Sequence, residues 1–263
     1  MSNEENEKKL DSGTIHPLSL LAQEALQVFS DMGFEIATGP ELESEWYNFD
    51  VLNVPKDHPA RDMQDTFFIK DSQEKNFSRL LQPSAGTFHE KNSSPASLVL
   101  RTHTTSVTAR AIEQAGKEGR IPAAFISIGK VFRNEATDAT HEMQFYQIDG
   151  AMVGENISVA DMKGVLTQFY KKMLGEEVVI EFRPSFFPFT EPSLEVFAKF
   201  KGKWLEMGGS GMLHPNVLRN IGLDPKKVQG FAFGHGLDRI AMIKWGISDV
   251  RFFYQGDLRL NQF

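Results

Sequence analysis

The chain has 263 residues, of which 41% are hydrophobic and 24% charged, enough for one large domain with its own core. It has no cysteine, which excludes a disulfide scaffold and any thiolate metal site, and its seven histidines never fall at the i, i+4 spacing of a helical zinc pair. A net charge of −7 has the wrong sign for a stand-alone nucleic-acid binder, so any RNA contact must rest on local cations or on a partner chain.

No apolar run approaches the roughly 18–20 residues of a membrane span. The start, Met1 to Lys9, has neither a signal h-region nor an Arg-rich presequence. Both features point to a cytoplasmic protein with no membrane contact. Residues 1–15 are polar and charged and read as a disordered tail, which leaves 16–263 as the folded domain.

Pro17 opens a helical pattern, with Leu18, Leu21, Ala22, Ala25, Phe29 and Met32 on one stripe and Gly33 as its stop. Gly39-Pro40 signals a turn. The stretch 71–97 is rich in Ser, Asn, Lys and Glu and reads as a mobile insertion or short hairpin. A helix is expected over about 105–115, ending at Gly116.

From 121 the texture changes. Ile121–Phe132 and Phe145–Val153 are β-branched and aromatic, and the polar stretch 133–143 separates them, which predicts two strands joined by a long charged loop. Ser158 begins a helix, with Asp161 in the capping-box position and Gly175 at its end. Strand-like segments follow at 178–183, 194–200 and 203–208, and a last strand near 230–233 runs through glycines into a helix over about 237–245. Strands in succession without βαβ alternation argue for an antiparallel sheet flanked by helices, an α+β domain.

Four clusters carry chemistry. Arg133 and Glu135 close the first strand of the two-strand unit, His141 lies late in its loop, and strand periodicity puts Phe145, Gln147 and Asp149 on one face. That face is either a solvated surface with one stray ring, or a site where arginine grips a phosphate and phenylalanine stacks on a base. Spacing leaves both readings open. The glycine turn Gly230–Arg239 allows close backbone approach to a ligand, or merely tight helix–sheet packing. Phe186-Phe187-Pro188-Phe189-Thr190-Glu191-Pro192 mixes rings, prolines and an acid, which suits a shaped pocket wall better than a regular buried strand. Arg101-Thr102-His103-Thr104-Thr105 reads locally as a helix N-cap with a satisfied histidine.

Together these clusters resemble the alpha chain of bacterial phenylalanyl-tRNA synthetase, a class II aminoacyl-tRNA synthetase. The resemblance is nearly continuous from His16 to Phe263. It runs through Asn48-Phe49-Asp50, His58-Pro59-Ala60-Arg61, Arg101-Thr102-His103-Thr104, Phe132-Arg133-Asn134-Glu135 and Thr140-His141-Glu142. The Phe-Pro-Phe-x-Glu-Pro stretch, Lys203-Trp204-Leu205-Glu206, Gly211 to Leu218 and Gly230 to Gly234 complete it. So many matches in order exclude chance. The helix at 17–32 with Gly39-Pro40 looks like motif 1 of the class, 124–153 like motif 2, and Gly234 to Trp245 like motif 3.

The resemblance implies ATP-dependent activation of phenylalanine and transfer to tRNA(Phe), with a beta subunit in an alpha2beta2 assembly. It implies that Arg133 grips the α-phosphate and the substrate carboxylate, Glu135 reads adenine, and His141 touches the distal phosphates. Phe145 and Arg239 would sandwich the base. Glu191 would help hold Mg2+. His103, Thr105, Gln147 and Asp149 would surround the substrate ammonium, Phe187 and Phe189 would pack on its ring, and Ala232 and Gly234 would shape the pocket end.

The chain departs from the pattern in places. The family usually has serine where Thr105 stands, often glutamate where Asp149 stands, and in some members tryptophan where Gln64 stands. The family's long N-terminal helical hairpin has no counterpart before His16. A shortened or divergent paralogue that binds or adenylates an amino acid without charging tRNA is the alternative.

Overall fold

The computed structural model describes residues 15–54, 66–69, 98–134, 136–256 and 260. The expected tail up to 14, the insertion at 71–97, the motif 58–61, Gln64 and Glu135 lie outside the described residues. Among those described, no helix is long and apolar enough to cross a membrane.

Helix α1 (Pro17–Asp31) starts where the sequence predicts. His16 caps it by accepting the Leu18 N–H, and Leu18, Leu21, Ala25 and Phe29 form the buried stripe. Gly33 ends it at φ +87°, a conformation that favours glycine. After β1 (Glu35–Ile36) come β2 (Leu42–Ser44), a π-helical turn (Trp46–Asp50), β3 (Phe68–Ile69) and β4 (Leu98–Leu100). Strands β2, β4 and β3 make a small separate sheet that the sequence reading missed, because segments of two or three residues carry no period.

Helix α2 (Thr105–Lys117) runs through Gly116 instead of stopping there. A Cβ on Gly116 would lie 2.8 Å from the Leu223 side chain, so this glycine permits close packing, and the left-handed residue is Gly119 at φ +68°. Strands β5 (Ala123–Phe132) and β6 (Gln144–Gly154) form the expected pair around the charged loop. Helix α3 (Val159–Leu174) opens on the expected reciprocal capping box between Ser158 and Asp161. Strands β7 (Val179–Phe187), β8 (Thr190–Phe200) and β9 (Lys203–Leu213) then form long hairpins, extending past the limits expected from sequence. Helix α4 (Pro215–Asn220), strand β10 (Gln229–Gly236), helix α5 (Leu237–Trp245) and a 3-10 turn (Val250–Phe253) complete the chain.

The main sheet has the order β1-β5-β6-β10-β9-β8-β7, antiparallel except where β1 pairs parallel with β5. This is the expected α+β arrangement. One face packs on α1, α3 and α5 through Phe29, Phe169, Tyr170, Ile148, Phe231, Phe233 and Ile240. The other face is covered at one end by a second cluster, in which Ile112 and Ala115 of α2, Val217 and Leu218 of α4 and Phe49 of the π-helical turn meet Phe125, Ala151 and Ala232. The rest of that face carries the polar residues described below.

Packing on the first face is tight around Phe233. Phe233 stacks on Phe29 at 5.3 Å, and a Cβ on Gly150, across the ladder, would sit 2.2 Å from the Phe233 ring. Gly150→Ala is therefore an overpacking change. It should lower the free energy of unfolding by about 1–3 kcal/mol or more, read from the urea midpoint of the purified protein.

Candidate active site

Strand pairing assembles the site. In β6, Gln147, Asp149 and Ala151 stand opposite Gly236, Gly234 and Ala232 of β10. On the far side of β10, Gly234 and Ala232 stand opposite Gly209 and Gly211 of β9. Residues directly opposite share a face, so the polar pair of β6 borders a floor of glycine and alanine two strands wide. The floor has to be small. A Cβ on Gly234 would come within 2.6 Å of the Asp149 carboxylate and 2.9 Å of the Gln147 amide, and one on Gly209 would come within 2.8 Å of the Phe187 ring. From sequence, Gly209 carries no assignment and Gly211 only opens a family-like motif, with no role at the site. Their signal was the run Gly208-Gly209-Ser210-Gly211 inside a strand, where glycine marks close approach of another group.

Asp149 is the buried charge at the centre. Thr104 and Thr105 donate to its two oxygens at 2.5 and 2.6 Å. Burial pushes its carboxyl above the usual range, while those hydroxyls and the nearby Arg133 guanidinium pull it back down. The local reading of 101–105 as a plain N-cap is thereby corrected. Thr104 occupies the cap position of α2 but makes no side-chain cap bond, because its hydroxyl goes across the sheet. The reading of the β6 face as solvated also fails, since Gln147 is 8% and Asp149 2% exposed.

His103 is not the satisfied histidine expected of a simple cap. One ring nitrogen, Nε2, lies 2.9 Å from the Asn48 carbonyl oxygen. A carbonyl only accepts, so Nε2 carries the proton and Nδ1 is left as an acceptor, with no hydrogen-bond partner among the described residues. The Gln147 side-chain oxygen is likewise buried without one. Asn48 also exchanges hydrogen bonds with Thr102 at 3.1 Å, so the π-helical turn braces the segment. Burial, then the Arg133 charge, lowers the His103 pKa to about 4.

Arg133 leaves β5 with its Nε donating to the Thr102 carbonyl at 3.2 Å and its guanidinium 5.0 Å from the centre of the Phe145 ring. Its charge acts on both His103 and Asp149. His103, Thr105, Arg133, Phe145, Gln147 and Asp149, from three separate stretches of sequence, thus meet in one place. Arg101, by contrast, is structural. It is buried and donates to the carbonyls of Gly39, Pro40 and Lys130, tying the first turn to β5.

The aromatic end lies over β9, two strands from Asp149. Phe187 and Phe189 stack nearly parallel, 5.7 Å apart at 7°, where β7 turns into β8. Phe187 covers Gly209, and Phe189 packs against the cluster containing Ala232. Phe186, between prolines and rings in the sequence, points away and is 75% exposed. Three other expected site residues make no hydrogen bond or ion pair with this cluster among the described residues. His141 is exposed in the loop, with Nδ1 3.1 Å from the Asp138 carboxylate. Arg239 is the third residue of α5 and has no ion-pair partner among the described residues. The Glu191 side chain is 76% exposed, 3.6 Å from His214. No cluster of three acidic or histidine groups suited to a metal ion occurs among the described residues.

A glycine-floored antiparallel sheet flanked by helices, with an arginine and a ring at the end of a strand–loop–strand unit, fits one class of enzyme. The model of the tRNA synthetases class II core domain (F) matches residues 3–263, and the chain belongs to that family. Among its relatives, the phenylalanine–tRNA ligase alpha subunit of Macrococcus caseolyticus is 47% identical over 264 positions, covering 96% of this chain and 67% of the relative. That of Anoxybacillus flavithermus is 47% identical over 262 positions, covering 95% and 68%. That of Bacillus mycoides is 45% identical over 267, covering 97% and 70%.

The buried histidines give a test in titration. Burial lowers His235, 2.8 Å from the Tyr170 hydroxyl, to about 3, and His103 to about 4. An unfolded imidazole takes its proton near 6.5, so falling pH favours the unfolded chain from about 6.5 downward at both residues. Asp238, raised by burial to about 6, works in the opposite sense as pH falls from 6 toward its ordinary range. The rings themselves are therefore the cleaner readout. Nitrogen chemical shifts of His103 and His235 should stay those of neutral imidazole at pH 5.5, where an ordinary histidine is mostly charged.

Proposed function

We infer that this chain is the catalytic alpha subunit of phenylalanine–tRNA ligase. It activates phenylalanine with ATP and passes the acyl group to tRNA(Phe). One observation carries the reading of the site. Two buried acceptors without a donor among the described residues, His103 Nδ1 and Gln147 Oε1, accompany the Asp149 carboxylate, while a stacked ring pair reaches the floor two strands away, where Phe187 covers Gly209. An ammonium brings three donors and no acceptor, and a benzyl group needs an apolar slot. Phenylalanine has both.

In this reading the amino acid lies across the glycine floor. Its ammonium meets Asp149, Gln147, Thr105 and His103, its ring enters between Phe187, Phe189 and Ala232, and Gly234 leaves room beneath it. Arg133 holds the substrate carboxylate and the α-phosphate. That carboxylate attacks the α-phosphorus, the bond to the β-phosphate oxygen breaks, and pyrophosphate leaves. The 3′-terminal ribose hydroxyl of tRNA then attacks the acyl carbonyl and AMP departs. Negative charge grows on phosphoryl and carbonyl oxygens in both steps, so positioning and cationic stabilisation suffice, with no enzyme nucleophile.

Phe145 and Arg239 take the two faces of adenine, Glu135 its amino group, and His141 the distal phosphates. When bound, Mg2+ offsets the charge of the triphosphate. The exposed Glu191 carboxylate suits a hard cation held mainly by phosphate oxygens, which needs only one or two protein carboxylates. The chain works with a beta subunit, in an alpha2beta2 assembly in the cytoplasm, and the retained ATP-contacting set counts against a paralogue that only binds an amino acid.

Arg133→Lys keeps the charge but loses the planar two-pronged donor. In the enzyme assembled with its beta subunit, phenylalanine-dependent pyrophosphate exchange should fall on the order of 10²-fold or more. Unchanged exchange would remove Arg133 from the reaction.

Ala232 is the probe of specificity. An apolar pocket rejects an added hydroxyl only by roughly 10²-fold. Ala232→Gly should admit para-chloro- and para-bromo-phenylalanine far better than the parent does. It should gain less for tyrosine, whose hydroxyl would be buried without a partner. Exchange assays with each analogue decide it, and no gain with the halogenated ones would mean that Ala232 does not line the pocket.

A further inference from the structure

Asp238 is 3% exposed, the second residue of α5, and takes no part in the chemistry above. The pairing of β10 with β6 ends at Gly236 opposite Gln147. One step further, β10 has turned into α5, and the Tyr146 N–H has lost the strand that would accept it. Asp238 Oδ2 accepts it instead, at 2.7 Å. The other carboxylate oxygen accepts the hydroxyl of Tyr254, in the turn after the last 3-10 segment. Burial raises the Asp238 carboxyl to about 6, and these two neutral donors oppose a larger rise. A buried carboxylate held this way is costly as mere filling and needs a positional reason.

That reason lies in its neighbours. Tyr146 follows Phe145 in β6, and Arg239 follows Asp238 in α5. Phe145 is on a strand and Arg239 on a helix, and the Asp238–Tyr146 bond closes the gap between the two backbones at that point. We propose that Asp238 is a positioning residue for the nucleotide. By replacing the missing rung of the ladder, it sets the separation of the Phe145 ring and the Arg239 guanidinium, the two groups read above as enclosing adenine. Tyr254 holds the second oxygen and so links the C-terminal segment to the same spacing. The inference rests on that reading of Phe145 and Arg239.

The test uses the enzyme assembled with its beta subunit, in phenylalanine-dependent pyrophosphate exchange. Asp238→Ala removes both acceptors and should raise KM for ATP by about 10-fold or more, with KM for phenylalanine within about 2-fold of the parent. Asp238→Asn should recover most of that loss, because the amide oxygen still accepts the Tyr146 N–H while its nitrogen donates to the Tyr254 oxygen. Should Asp238→Ala not fold, Tyr254→Phe deletes one hydroxyl and should still raise KM for ATP by about 3-fold with KM for phenylalanine unchanged. Equal changes in the two KM values, an Asn variant as impaired as the Ala variant, or parent kinetics in both Asp238→Ala and Tyr254→Phe would each overturn the proposal. An assembled parent with no phenylalanine-dependent exchange would instead overturn the functional reading, and this inference with it.

Discussion

The antiparallel ladder that joins β6 to β10 and β10 to β9 sets almost everything else. Pairing of Asp149 with Gly234, and of Gly234 with Gly209, lines up a carboxylate, a cleared floor and a covering ring across three strands. Because side chains alternate along a strand, the same register puts Ile148, Phe233 and His235 on the opposite face. There Phe29, Phe169 and Tyr170 cover them. A slip of one residue would put the core into the site and the carboxylate into the core.

That arrangement explains why the site is built from residues that would otherwise be poor strand formers. Glycine weakens a strand, yet at 209 and 234 any side chain would collide with Phe187 or with Asp149 and Gln147. Cohesion comes instead from the opposite face, where Phe29 packs on Phe169 at 4.7 Å and on Phe233 at 5.3 Å. Function sits on one surface of the sheet and cohesion on the other.

The electrostatics follow from burial. Asp149 is kept in place by two hydroxyl donors and a nearby guanidinium, whereas His103 is kept neutral with its free lone pair unpaired among the described residues. The end of the site formed by Asp149, His103 and Gln147 therefore offers acceptors to a cationic amine, while the donors of Arg133 stand beside it. The protein's own polar groups thus impose a polarity on whatever occupies the floor.

Much of this was legible in the sequence. The stripe of α1, the capping box at Ser158, the two long strands around a charged loop and the shared face of Phe145, Gln147 and Asp149 are local periodic signals, and local geometry obeys them. The chemistry of Arg133, His103 and Phe187 could be suspected from residue type and, through ordered motifs, tied to a family. Other features were hidden. The small sheet of β2, β3 and β4, the role of Gly209 and Gly211, the diversion of Thr104 from cap to carboxylate and the bond from Asp238 to Tyr146 all join residues far apart in the chain. Periodicity reports which way a side chain faces along its own element. Only the packed structure decides what it meets there, because hydrogen bonds and close contacts depend on register between strands that one sequence does not encode locally.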